Sequence, residues 1–211
     1  MKHSPIFITK FFWVSLSLCL SFLVACHGPE EKKEQKTTAA ITNEYTNESV
    51  FESVLREVQA NPDSVRALYH LADLYYRDNR YEEAVETFRK VVALDPEHGN
   101  AYLKMGTSLS RMNRPEEAID ALQKAAKYLT NPVVYNNLAI AYGKAGKLDE
   151  EITALQKAIS MRPNYAAARY NLGMVYLKKN DRPAAMGQYD ELKKIDLTAA
   201  KHLLKQIDSQ K

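Results

Sequence analysis

Glycine, proline and cysteine are all scarce in this chain of 211 residues, which contains seven glycines, eight prolines and two cysteines. So few turn-forming residues favour long helices over a β architecture with many tight turns. The cysteines are Cys19 and Cys26. We expect Cys19 to be removed with the leader described below. The mature chain would then keep Cys26 alone, which excludes an intramolecular disulfide and a cysteine-based metal site.

An excess of charge of one sign is also missing. The chain has 29 Lys and Arg against 26 Asp and Glu, a formal charge of +3. Removal of a leader containing Lys2 and Lys10 would leave 27 against 26, which is a charge of +1. This balance predicts neither nucleic-acid binding nor attraction to an anionic surface.

Motifs that carry catalytic chemistry are absent from the sequence. It has no glycine-rich phosphate loop and no His-Glu-x-x-His zinc helix. The histidines beyond the leader, which lack the spacing of metal ligands, are His27, His70, His98 and His202. We therefore predict that the protein is not an enzyme and has no cofactor, metal ion or small-molecule substrate.

The first 26 residues have the pattern of an export signal. Lys2 and Lys10 provide positive charge, and residues 11–25 form an apolar run that is short for a membrane span. The run ends in Leu23-Val24-Ala25-Cys26, which resembles the lipobox of bacterial lipoproteins. The resemblance implies cleavage before Cys26 and acylation of its sulfur and its new amine. An ordinary secretory signal peptide and a transmembrane anchor are the alternatives.

The residues around Cys26 also carry an expectation about location. Two or more acyl chains anchor a protein durably to a bilayer. We expect the lipid to be the only contact of this protein with the membrane. His27 rather than an aspartate follows the cysteine. By resemblance to enterobacterial lipoproteins, this favours the outer membrane, facing the periplasm of the bacterial cell envelope. Residues 26–47 are polar and mixed in charge, which predicts a flexible linker.

The chain beyond this linker repeats itself four times. Each copy has one small residue flanked by large ones at spacings of three and four, as in Leu68, Leu71 and Tyr75 of the first copy, which places them on one face of a helix. A second stretch follows with a small, large, small pattern. The small residues of the first stretches, spaced by 34, 33 and 34, are Ala72, Gly106, Ala139 and Gly173.

This pattern resembles the tetratricopeptide repeat (TPR), a family of helix hairpins. The resemblance implies an all-α fold, a right-handed superhelical solenoid of four TPR hairpins. Amphipathic segments on both sides predict N- and C-terminal capping helices, which cover the ends of such a solenoid. The predicted domains are a lipoprotein signal peptide at 1–25, the lipidated cysteine and linker at 26–47, a capping helix at 48–63, four repeats within 64–197 (65–98, 99–131, 132–165 and 166–197) and a capping helix at 198–211.

Two further observations bear on the hairpins. The residues at the turn between the two helices of each repeat, all of types that tolerate a positive φ, are Asn79, Asn113, Gly146 and Asn180. Glu151 occupies a position that usually holds alanine in the family. We expect the third hairpin to pack more loosely as a result.

The resemblance also implies a binding groove, because in TPR proteins the first helices line a concave surface that takes a peptide or a partner helix. Carried over position by position, the groove residues are Tyr69, Asp73, Tyr76, Arg77, Lys104, Arg111, Asn136, Asn137, Lys144, Tyr170, Asn171 and Lys178. Asn137 and Asn171 take a position where family members often hold the backbone of a ligand, and an amide offers both a donor and an acceptor.

A cation ends the first helix of every repeat, and we call these residues the cation ladder: Arg77, Arg111, Lys144 and Lys178. Such a ladder would favour an acidic segment or a C-terminal carboxylate. A cation at a helix C-terminus also complements the helix dipole, so a structural role stays open.

The sequence therefore predicts a membrane-anchored TPR adaptor that binds partner proteins or peptides in the cell envelope and assists the assembly of an envelope complex. The alternative is a self-associating structural subunit that uses its convex face or the ends of the solenoid instead of the groove.

Overall fold

The computed structural model describes residues 50–209. The leader, Cys26 and the linker lie outside the described residues. The described part consists of ten helices and contains no strand. They are α1 at residues 50–60, α2 Val65–Arg77, α3 Tyr81–Leu94, α4 Gly99–Arg111, α5 Pro115–Tyr128, α6 Pro132–Lys144, α7 Leu148–Met161, α8 Ala166–Lys178, α9 Arg182–Ile195 and α10 Leu197–Asp208.

Helices α2 to α9 form four consecutive hairpins, each packed against the next. We call α2, α4, α6 and α8 the first helices, and α3, α5, α7 and α9 the second helices. The turns within the hairpins confirm the prediction, because Asn79, Asn113, Asn180 and Gly146 all have a positive φ, of 59°, 58°, 59° and 75°. Their left-handed conformation ends one helix and redirects the chain into the next.

The predicted small residues lie where two helices approach most closely. Ala72 and Ala139 are buried in the core. At Gly106 a Cβ atom would lie only 2.6 Å from Cγ of Leu122 and 3.1 Å from the carbonyl oxygen of Ala118. The apolar faces of α2 to α8 thereby form one buried cluster, and a second cluster joins the end of α8 to α9 and α10. These observations confirm the all-α superhelical fold.

Helices flank the four hairpins at both ends. In α1 the ring of Phe51 meets the ring of Tyr75 edge-on at 5.4 Å between centroids. Helix α10 packs against α8 and α9 and buries Leu203 and Ile207. It begins at Leu197, one residue before the predicted boundary, because Asp196 accepts a hydrogen bond from the backbone N–H of Ala199 and caps the helix. Within residues 50–209 no helix is both long and apolar enough to cross a bilayer.

Two glycines provide a matched test of this packing. Gly187 is an exposed position inside α9 where a Cβ would meet nothing within 4 Å. We expect Gly187→Ala to raise the free energy of unfolding by about 0.5–1 kcal/mol, because alanine restricts the unfolded chain. Gly106→Ala should lower it by about 1–3 kcal/mol through overpacking against Leu122. Urea unfolding monitored by circular dichroism measures both, and a neutral Gly106→Ala would contradict the close approach.

Candidate partner-binding groove

The first helices α4 and α6 enclose a pocket of about 220 Å³ between the second and third repeats. Because its lining residues are spaced by three and four along each helix, they share one face. They are Thr107, Ser110 and Arg111 of α4 and Asn137, Ile140 and Lys144 of α6. Three of the predicted groove residues, Arg111, Asn137 and Lys144, therefore come together in one concavity.

Hydrogen bonds across this pocket tie the two repeats together. The Asn137 amide nitrogen donates to Oγ1 of Thr107 at 3.0 Å. The Thr107 hydroxyl in turn donates to the carbonyl oxygen of Leu103 at 2.7 Å. Lys144 donates from Nζ to the carbonyl oxygen of Ser110. The Asn137 bond uses one of two amide hydrogens, so the second hydrogen and the amide oxygen keep hydrogen-bonding capacity for a ligand.

Arg111 is an exposed cation that lines this pocket. Among the described residues it takes part in no ion pair, whereas Arg77 and Lys178 of the cation ladder each lie next to a carboxylate. The charge of Lys144 is directed at an uncharged carbonyl group. Ile140, which is 39% exposed, adds an apolar wall. The pocket thus combines two cations whose charge is not neutralised with amide and apolar surface.

The groove residues of the first repeat form a network with Lys104 of the second repeat. Asp73 lies 2.8 Å from the guanidinium of Arg77 and also accepts from Nζ of Lys104. The Lys104 ammonium lies 5.3 Å from the centroid of the Tyr76 ring, a cation–π contact. These four predicted groove residues therefore contact one another, and their cations are held by an internal carboxylate.

The ring of Tyr69 packs against other rings of the first repeat. It stacks on His98 at 4.8 Å between centroids and lies 5.8 Å from Phe88. Burial raises the pKa of Tyr69, and the nearby Asp73 adds to that rise. His98 itself caps α4, because its Nδ1 accepts from the backbone N–H of Ala101 at 3.2 Å. The position of His98 immediately before a first helix could have indicated this capping role.

Two further predicted groove residues, Asn136 and Asn171, meet at the interface between the third and fourth repeats. The Asn171 amide nitrogen donates to Oδ1 of Asn136 at 3.0 Å. Asn136 is only 6% exposed. Tyr170 packs against the apolar cluster formed with α9 and α10. Asn171 thus bonds Asn136 in the preceding repeat, as Asn137 bonds Thr107.

Glu151 is the feature that sequence reasoning did not assign to the site. It comes from α7 and is buried, with 6% exposure. Its carboxylate fills the space beside Gly143 of α6, where a Cβ would lie 2.6 Å from Oε1. The missing side chain at position 143 makes room for the carboxylate, so α6 and α7 pack closely at this contact. The pairing of a glutamate for alanine with a glycine eight residues earlier could have indicated the contact.

Glu151 also reaches the cation ladder. Its Oε2 lies 3.6 Å from Nζ of Lys178, which is an ion-pair distance but too long for a hydrogen bond. Within the described residues Oε2 has no hydrogen-bond partner. Burial raises the pKa of Glu151, and Lys178 opposes that rise. The carboxylate is therefore incompletely compensated in a poorly solvated position.

The charged side chains of residues 50–209 do not form a metal-binding cluster. Across residues 50–209 no group of three or more His, Cys, Asp or Glu side chains is arranged to hold one. The site's arrangement is instead suited to binding through hydrogen bonds, charge and apolar contact.

Comparisons with known proteins agree with the repeat architecture. One family model, described as anaphase-promoting complex, cyclosome, subunit 3, matches residues 43–125. A second, described as TPR repeat, matches residues 142–180. A chloroplastic tetratricopeptide repeat domain-containing protein of Arabidopsis thaliana, PYG7, is 37% identical over 59 residues, which are 28% of this chain and 20% of that protein. The chain spans between 20% and 44% of the length of three curated relatives that it matches.

Solved structures with the same arrangement of helices cover most of the chain. The crystal structure of MamA is similar with a TM-score of 0.70 and 26% identity, over 76% of this chain and 94% of that one. YrrB, described as a TPR protein with an unusual peptide-binding site, has a TM-score of 0.67 and 24% identity, over 79% of this chain and 88% of that one. These likenesses support the TPR superhelix.

The buried carboxylate gives a pH-dependent prediction. Because burial raises the pKa of Glu151, the folded chain binds more protons than the unfolded chain between the two pKa values. Stability therefore falls as the pH rises through that interval. We expect Glu151→Gln to be more stable than the parent protein at neutral pH. This gain should shrink as the pH falls through the raised pKa of Glu151 in the folded chain, and should be lost once the pH is below the ordinary range of a glutamate pKa.

The matched control is Glu150→Gln, which removes the same charge from an exposed neighbour on α7. Urea unfolding of the three proteins at a series of pH values makes the comparison. A Glu151→Gln variant that is less stable at neutral pH would show that the ion pair with Lys178 outweighs the cost of burial.

Proposed function

Because this chain is a tetratricopeptide-repeat protein, we propose that it is a protein-interaction scaffold that binds an acidic group of a partner protein or peptide between α4 and α6. One observation carries the proposal: Arg111 is exposed in a pocket, makes no ion pair among the described residues and lies beside Lys144. An isolated pair of cations in a concavity attracts a carboxylate both at long range and on contact.

The other lining groups suit a peptide that carries this carboxylate. The Arg111 guanidinium offers planar pairs of N–H donors, and Lys144 adds a second positive charge. The remaining hydrogen and oxygen of the Asn137 amide are able to bond a backbone C=O or N–H group. Ile140 provides apolar contact for a neighbouring side chain. A short extended segment with one carboxylate would satisfy all four groups together.

The likeness to YrrB is consistent with this reading but supports the shared fold alone, since the two chains are 24% identical. Peptide binding by this chain is supported by the residues of its own pocket, Arg111, Asn137, Ile140 and Lys144. By the same reasoning, the partner's identity is described by its chemistry, an acidic group presented on an accessible segment.

We further propose that the scaffold is anchored by lipid at Cys26 in the bacterial cell envelope. Support comes from Leu23-Val24-Ala25-Cys26 and from the polar residues 26–47 that follow. A tether of this kind would let the repeats reach partners away from the membrane surface, and would suit assembly of an envelope complex. The outer membrane, facing the periplasm, is the location that His27 favours.

Self-association is the second candidate, and two grooves along the second helices favour it. One, of about 410 Å³, is floored by Tyr102, Met105 and Leu109 of α4. The other, of about 400 Å³, has Leu138 and Tyr142 of α6 at the equivalent positions. A second copy of the chain that docks there would leave the pocket at Arg111 open, so the experiment below separates the two candidates.

The test is an in-cell crosslinking pull-down with the full chain and with Arg111→Gln. Loss of a charge-assisted hydrogen bond is worth about 1.5–3 kcal/mol, so capture of the partner should fall about tenfold or more. The control is Lys90→Gln, which removes an exposed cation from the second helix α3. Equal recovery of the same proteins with both variants would refute the pocket, and recovery of the chain alone would favour self-association.

The anchor has a separate test. Cys26→Ser removes the sulfur that would receive a lipid, so we expect the variant to incorporate no labelled fatty acid and to leave the membrane fraction. Cys19→Ser, within the leader, should incorporate label as the parent protein does. Normal labelling of the Cys26→Ser variant would contradict the lipobox interpretation.

A further inference from the structure

The four members of the cation ladder differ in whether a carboxylate lies beside them. At the amino end Arg77 lies 2.8 Å from Asp73, which also holds Lys104. At the carboxyl end Lys178 lies 3.6 Å from the Glu151 carboxylate. Arg111 and Lys144, in the middle, have no carboxylate within ion-pair distance among the described residues. The positive charge available to a partner is therefore concentrated at the middle of the groove.

The acid that neutralises Lys178, Glu151, comes from a helix that does not carry the cation ladder. Glu151 belongs to a second helix, whereas the ladder belongs to the first helices. It reaches Lys178 because α6 has a glycine at 143, the position that corresponds to Ser110 in the pocket between α4 and α6. A Cβ at 143 would lie within 2.6–2.7 Å of three carboxylate atoms of Glu151 and would displace the group. Glycine at 143 and glutamate at 151 together place an internal acid beside Lys178.

This arrangement resembles, within the chain itself, the contact that an acidic partner would make. Lys178 is half exposed and faces a carboxylate that has no hydrogen-bond partner at Oε2 among the described residues. A partner's acid that approached Lys178 would compete with Glu151 and would take from that buried carboxylate the one cation that lies beside it among residues 50–209. Competition of this kind lowers the affinity of Lys178 for any external acid.

We propose that Glu151 is a specificity-determining residue, which occupies Lys178 and limits the groove to a partner segment with a single acidic group at Arg111 and Lys144. The inference rests on the function proposed above and adds the class of ligand: one carboxylate flanked by uncharged residues, in preference to a run of acids. Because Glu151 pairs with Lys178, the groove has one fewer cation available to a partner's acid at the carboxyl end of the ladder.

The experiment measures fluorescence anisotropy of two labelled probes with the full chain in detergent micelles. One probe is a Gly-Ser peptide with one central glutamate, and the other is the same peptide with a hexaglutamate run. Glu151→Gln keeps the shape of the side chain and frees Lys178. Glu150→Gln, an exposed neighbour, matches its change in net charge. Relative to Glu150→Gln, we expect Glu151→Gln to bind hexaglutamate about fivefold more tightly, with the affinity for the single-acid probe unchanged.

Two further variants make the outcomes distinguishable. Adding Lys178→Gln to Glu151→Gln should abolish the gain, which shows that the gain depends on the freed lysine. If Glu151→Gln and Glu150→Gln bind hexaglutamate equally while Arg111→Gln loses both probes, the specificity inference is wrong and the proposed function stands. If neither probe shows binding that depends on Arg111, the proposed function fails and the inference fails with it.

Discussion

The close approach of two helices at a small residue is the constraint from which the rest of this structure follows. At Gly106 the packing leaves no space for even one additional carbon atom beside Leu122. A comparable close approach occurs at Gly173, where the nearest atoms to a Cβ belong to Leu203 of the last helix, α10, and not to the second helix of the same hairpin. Because each first helix uses its small face to pack, its opposite face stays free, and successive repeats align these free faces into a groove.

The groove acquires its chemistry from polar contacts between neighbouring repeats. Asn137 bonds Thr107, Asn171 bonds Asn136, and Lys104 bonds Asp73, each pair joining one first helix to the preceding one. Residues in these contacts have two roles, since they hold adjacent repeats in register and also present groups to a partner. Arg111 stands out from the other members of the ladder because Arg77 and Lys178 lie beside carboxylates and Lys144 bonds a backbone carbonyl group.

The fold could be predicted because its determinants are local. The four small residues and the turn residues with positive φ, such as Asn79 and Gly146, recur at fixed positions along the chain. Part of the site could be predicted for the same reason, since Asn137 and Lys144 share one face of α6 and Arg111 takes the position in α4 that corresponds to Lys144. The pairing of Asp73 with Lys104, and the burial of Asn136, depend on side-chain conformations across repeats, which periodicity does not encode.

Glu151 shows how a departure from a repeat pattern acquires meaning only in three dimensions. In the sequence it is a polar residue at an alanine position, which suggests looser packing. In the structure it lies against Gly143 of its own repeat and Lys178 of the next. A buried carboxylate with one distant cation is a poor way to stabilise a hairpin, because desolvation opposes its charge. Alanine at 151, together with a side chain at 143 in the space that the carboxylate now takes, would pack this hairpin without that cost. The most economical account of Glu151 is therefore its effect on the charge of Lys178 and on the acids that the groove accepts.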